Sequence, residues 1–176
     1  MKKKLIFFVA VLIVSLCMSA SCKSENGIDK YHAEIYSSAE EWVNDNFLKE
    51  NRVKAYYRNE NYAEGVSLPS EKYIYEENSP SSRVFAITDG EYFGSVFSYY
   101  PDGVDFGNEI ILLYVFGDTY PNRKYFLSDI ILKDNVLNVY VQLENKPVKD
   151  ATAPYQRCLT VKLDKLEFAE AIFISN

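Results

Sequence analysis

EIILLYVF, residues 109–116, is a nearly continuous apolar run. Such a run, too short for a core helix and rich in branched residues, predicts a central strand buried on both faces. The pattern spreads outward from it. YFLSDIIL (125–132) and VLNVYVQL (136–143) flank Lys133-Asp134-Asn135. Asp and Asn both tolerate positive φ, so this reads as a hairpin turn. Within 136–143, Leu137, Val139, Val141 and Leu143 alternate with Asn138, Tyr140 and Gln142, the signature of a strand with one face in a core. QRCLTVKL (156–163) and LEFAEAIFI (166–174) are read as a last strand pair turning near Asp164-Lys165.

Upstream, VFAIT (84–88), KYIYE (72–76) and Arg52–Arg58 read as shorter strands inside a stretch rich in Asn, Glu, Ser and Pro. Two capping boxes stand out. Ser38-Ala39-Glu40-Glu41 precedes Trp42, Val43 and Phe47, and predicts a helix over about 39–49. Thr88-Asp89-Gly90-Glu91 precedes Tyr92, Phe93, Val96 and Phe97, and predicts a helix over about 89–99, ended by Tyr100-Pro101-Asp102-Gly103. Two helices set apart from most of the strands predict an α+β single domain, a mainly antiparallel sheet of about six to eight strands.

The N-terminus has a different logic. MKKK is followed by LIFFVAVLIVSL (5–16) and then by Ser19, Ala20, Ser21 and Cys22. Charged, apolar and small-residue segments in that order form a secretory signal. The apolar part falls short of the about 20 residues a bilayer span needs. Ala20-Ser21-Cys22 resembles a bacterial lipobox, with Ser19 where Leu or Val is usual. The resemblance implies residues 1–21 as signal peptide, lipidation (palmitate or a similar acyl chain) of Cys22, and 22–30 as a polar tether to a domain over 31–176. The protein would then be exported and anchored to the outer face of a bacterial membrane. Ordinary secretory cleavage is the alternative. Each buried methylene contributes about 0.8 kcal/mol, so two or more acyl chains hold stably.

Loss of residues 1–21 leaves 16 basic against 25 acidic residues, a net charge of −9. Such a domain is a poor nucleic-acid ligand, because that binding depends on lysines and arginines. Its length suits one domain with a self-sufficient core. Cys158, within a predicted strand, reads as a small buried hydrophobe.

Few constellations carry chemistry. The seven glycines are scattered, and His32 is the single histidine, so neither a phosphate loop, a zinc site nor a Ser-His-Asp site is indicated. No cofactor is called for. Asp102, Asp105 and Glu109 in PDGVDFGNE form an acidic turn. A solvated turn and a calcium site are both open readings. Carboxylate pairs for a small hydrolase acting on wall polymer are set by space rather than by sequence.

DTYPNRKYF (118–126) is a basic-aromatic loop in an acidic protein. Its Tyr120, Arg123, Lys124 and Tyr125, together with Tyr155 and Arg157 from ATAPYQR (151–157), are the candidate binding residues. Loops on a rigid sheet often carry binding, and Tyr and Arg are favoured at interface hot spots. Both segments precede strands, and they are expected to lie side by side.

Residues 104–165, from VDFGNEIILLY to LTVKLDK, resemble part of a small uncharacterised bacterial lipoprotein family. They are also loosely similar to the C-terminal domain type of a protease-complex subunit. That type has a glycine pair in the turn, where this chain has Pro121-Asn122-Arg123-Lys124-Tyr125. The resemblance implies a β-rich, non-catalytic, surface-exposed module and assigns no functional residues. The resulting expectation is a lipid-anchored envelope protein that binds a protein or peptide. A hydrolase and a structural lipoprotein without specific ligand are its rivals.

Overall fold

The computed structural model describes residues 27–119, 123–144 and 153–175. Cys22, its tether up to residue 26, and Tyr120 lie outside the described residues. The elements run α1 (Gly27–Lys30), β1 (Glu34–Tyr36), α2 (Asp45–Glu50), β2 (Tyr56–Arg58), a 3-10 turn at Pro69–Glu71, β3 (Tyr73–Tyr75), β4 (Ser82–Ile87), α3 (Gly90–Val96), β5 (Glu109–Asp118), β6 (Tyr125–Lys133), β7 (Val136–Leu143), β8 (Tyr155–Asp164) and β9 (Glu170–Ser175). Mainly β with short helices, this is the expected α+β class.

Two sheets form. The larger has the order β3-β2-β8-β5-β4, with β1 also paired to β8, and the smaller has the order β6-β7-β9. The centre of the larger sheet is the β5–β8 pair, antiparallel from Glu109↔Asp164 to Asp118↔Tyr155. β5 has core on both sides, as its unbroken apolar run requires. Ile110, Leu112 and Phe116 face the smaller sheet with Leu159, Val161 and Leu163 of β8, against Ile130, Leu137, Val139 and Val141. Ile111, Leu113 and Val115 face the opposite way, onto Ile87, Val96, Phe97, Val43 and Val53. The larger sheet is therefore the middle of three layers, between the smaller sheet and a cover of helices and loops.

The β6–β7 hairpin turns as read. Asp134 and Asn135 take φ of 51° and 65°, with Lys133 paired to Val136, which is the two-residue turn that matches strand twist.

The last strand pair is corrected. β8 and β9 are not partners: β9 lies in the other sheet, parallel to β7 from Val136↔Glu170 to Val141↔Ser175. The connection between them carries Leu166 and Phe168, both packed on the inter-sheet core. Burying them takes the chain across the end of the sandwich, where the Ala169 amide donates to the Asn135 carbonyl. Phe173 then stacks on Tyr114 of the larger sheet, 4.5 Å between centroids.

The first helix is also shorter than expected. α2 starts at Asp45, with Asn44 as its cap, the side-chain oxygen accepting from the Asn46 and Phe47 amides. Ser38 and Glu40 cap nothing, because β8 recruits them. α3 begins at Gly90, one residue after its cap Asp89 rather than at Thr88, and ends at Val96. β2 is confined to Tyr56–Arg58.

Candidate functional site

The expected adjacency of the two basic-aromatic segments is real, but it makes an internal network. The end of β5 and the start of β8 are in register through Asp118↔Tyr155, and β6 starts close by. Asp118 is buried. Its carboxylate accepts from the Tyr125 hydroxyl at 2.6 Å, and the guanidinium groups of Arg123 and Arg157 approach it at 3.6 and 4.0 Å. Arg157 is 5% exposed. Its Nε donates to Glu40, and its Nη2 donates to the Ser37 carbonyl at 3.1 Å, the Ser38 hydroxyl at 3.2 Å and the Arg123 carbonyl at 3.4 Å. Glu40 Oε1 also accepts from the Cys158 amide at 3.1 Å. Burial, and then the hydrogen bond to Asp118, push the Tyr125 phenol above its ordinary range.

Of the expected binding residues, Tyr125 and Arg157 are buried and Arg123 is partly exposed. A carboxylate left on a half-apolar strand end must be paired, and these side chains turn inward to pair it. Lys124 is exposed on the rim. Tyr155 goes elsewhere.

Tyr155 lines a cleft of about 590 Å³ at the β2–β3 end of the larger sheet. α2 supplies one wall through Leu48 and Lys49, and the segment after β2 supplies the other through Asn59, Glu60 and Tyr62. Tyrosines dominate the floor. Tyr155 lies 5.9 Å from Tyr56 and 5.1 Å from Tyr73, ring centroid to centroid, and Tyr56 lies 4.9 Å from Tyr75. The backbone explains the cluster. β2 joins β8 in parallel at Tyr56↔Tyr155, and β3 folds back antiparallel with Tyr56↔Tyr75 and Arg58↔Tyr73. Gly117 makes room for this junction: a Cβ there would meet the Lys54 carbonyl at 3.1 Å and the Pro154 side chain at 3.2 Å.

Charge in the cleft is arranged unevenly. Lys49 pairs with Glu60 at 2.6 Å, and Glu40 is held by Arg157. Arg52 lies over the ring of Tyr57, 3.4 Å from its centroid. Arg58 is exposed. Alternation in KYIYE signals the strand, but which rings meet depends on the β2–β8 junction.

The acidic turn is engaged with itself. Asp105 accepts from the Gly107 amide at 3.0 Å and from Asn108 Nδ2 at 2.8 Å. These bonds hold its carboxyl below the usual range, that from Asn108 most. Glu109 accepts from the Asp105 amide at 2.8 Å, and Asp102 takes the Tyr36 hydroxyl. Among the described residues, no three His, Cys, Asp or Glu side chains gather to hold a metal ion, and no helix is long and apolar enough to cross a membrane. Cys158 is fully buried under the cleft-side layer, and burial raises its thiol pKa strongly. His32 Nδ1 stands 2.6 Å from Asp164 at the opposite end of β8.

Comparison with protein families, with curated proteins and with solved structures finds no match to this chain.

Proposed function

We propose that the protein is a lipid-anchored module of the cell envelope that binds a protein or peptide segment, without catalysis, in the tyrosine-lined cleft. The observation that carries this reading is the convergence of Tyr56, Tyr73 and Tyr155 on one concave surface. Tyrosines offer large contact area with few rotatable bonds and a hydroxyl at the tip, which suits mixed apolar and polar ligands. The cleft's size falls within the range of ligand-binding pockets.

The lipobox-like Ala20-Ser21-Cys22 supports the anchor. The first described residue, Gly27, donates its amide to Asp129 of β6 at 3.0 Å, and the chain then reaches the Asp164 end of β8, where the Tyr31 carbonyl accepts from the Asp164 amide. Tyr155 is at the other end of that strand, roughly 30 Å away at the rise of a β-strand. The cleft and this N-terminal contact thus lie at opposite ends of β8.

Two measurements test the proposal. The intact mass of the N-terminal peptide, compared with a Cys22→Ala form, reads the lipid directly; a Cys22 peptide at its unmodified mass would remove the anchor. Cross-linked capture from envelope extract, run beside a Tyr56→Ala/Tyr155→Ala form, reads the site. A captured species that the double variant retains would place binding elsewhere.

A further inference from the structure

The geometry points to an acidic peptide segment as the ligand of this cleft, its carboxylates held by Arg52 and Arg58. This inference rests on the binding reading above and gives it a ligand chemistry. The chain is acidic throughout, with 25 carboxylates against 19 basic residues. Two cations at or beside the cleft already hold carboxylates. Lys49 holds Glu60, and Arg157 holds Glu40 and approaches Asp118. Arg52 and Arg58 both line the cleft, and neither has a carboxylate partner among the described residues. Asp45 is the remaining lining carboxylate; it occupies the first turn of α2, where the helix dipole offsets its charge.

Arg52 is also pre-positioned. Its guanidinium lies flat over Tyr57, and its carbonyl is fixed by the Nε of Arg83 at 3.2 Å. A guanidinium stacked on a ring keeps its N–H edge free for in-plane, two-point bonding to a carboxylate. Holding the side chain in advance reduces the entropy lost on binding.

A peptide fits better than an anionic glycan. Tyr155 meets Tyr56 and Tyr73 at interplanar angles of 42° and 77°. Rings tilted against one another in this way form no shared flat platform for a sugar ring. Such a surface accepts the side chains and amides of a peptide, with carboxylates reaching the arginines at the wall.

The test uses the full-length protein in mild detergent and labelled peptides of equal length that alternate alanine with glutamate, glutamine or lysine, read by fluorescence anisotropy. Oligogalacturonate serves as the anionic glycan. The glutamate peptide is expected to bind at least about tenfold more tightly than the glutamine peptide, with an advantage that shrinks as salt is added. Arg52→Gln and Arg58→Gln should each reduce that advantage. Arg58 is exposed, so its replacement leaves the fold intact. Equal binding of glutamate and glutamine peptides, or a preference that survives both substitutions, would overturn the acidic assignment and leave the cleft reading standing. Binding of oligogalacturonate alone would overturn the peptide class. Failure of every probe, together with Tyr155→Ala capture equal to wild type, would overturn both readings.

Discussion

Arg157 donates its Nε to the carboxylate of Glu40, a residue 117 positions earlier in the chain. The bond ties the segment before α2 to the central strand pair and draws Ser37 and Ser38 with it. Behind the guanidinium lies Asp118, almost fully buried. Removing the arginine leaves Glu40 without its cation, Asp118 with Arg123 as its cation, and the Ser37 carbonyl and Ser38 hydroxyl without their donor. Arg157→Ala is therefore expected to cost about 3–5 kcal/mol. Arg157→Met, which restores volume but no donor, should lose nearly as much. Urea unfolding of both variants checks this. A Met variant close to wild type would mean that the arginine acts by packing alone.

The Asp134-Asn135 turn carries a second expectation. Both residues sit at positive φ, where a β-branched side chain clashes with its own backbone. Asn135→Val should cost about 1–2 kcal/mol, and Asn135→Gly should cost almost nothing. In a protein of this size the valine change would lower Tm by about 2–8 °C. Equal losses from Val and Gly would implicate the asparagine side chain instead of the backbone conformation.

What could be read in advance follows from how local each cause is. The burial of β5 is written in eight consecutive residues, and the hairpin turn in two. Both are decided by chemistry within a few positions. The fate of β9 is not local. Its apolar pattern is that of any strand, and its place beside β7 comes from Leu166 and Phe168 needing the inter-sheet core. Ser38-Ala39-Glu40-Glu41 is a sound capping box that loses to a buried arginine more than a hundred residues away. The same arginine, with Asp118, turned Arg123 and Tyr125 from surface candidates into interior ones. Tyr155 was singled out for its neighbours Pro154 and Arg157, yet it belongs to a cleft made by Tyr56 and Tyr73. No spacing along the chain encodes that meeting.

Alkaline pH should weaken the fold. Burial raises the Cys158 thiol above its ordinary value of 9.0, and burial pushes Tyr100 from its ordinary 10.0 up to about 12. Both groups hold their protons longer in the folded state. Their contribution to stability is complete below the unfolded pKa and is lost as pH rises from there toward the folded value. The urea midpoint is expected to be steady near neutrality and to fall from about pH 9 upward. Cys158→Ala should remove the earliest part of that fall, and the wild-type thiol should resist maleimide until the protein unfolds. A midpoint that rises between pH 9 and 10.5 would contradict the sign of both shifts.

Tyr125 and Tyr155 separate stability from binding. Tyr125 is buried with its hydroxyl on Asp118 at 2.6 Å. Truncation to alanine removes a large core side chain and a buried donor, and should cost about 3–5 kcal/mol. Tyr125→Phe isolates the donor and should cost about 1–3 kcal/mol. The folded fraction of either variant is expected to bind peptide as wild type does. Tyr155 is half-buried in the cleft, and its ring contacts with Tyr56 and Tyr73 contribute about 0.5–1.5 kcal/mol each. Its replacement by alanine should cost little more than those contacts in stability, while weakening peptide binding about tenfold or more. Denaturant unfolding and anisotropy on the same preparations give both readings. If Tyr155→Ala binds normally and Tyr125→Phe does not, the ligand approaches from the Asp118 network, and the surface that recognises it is the 118–126 loop and not the cleft.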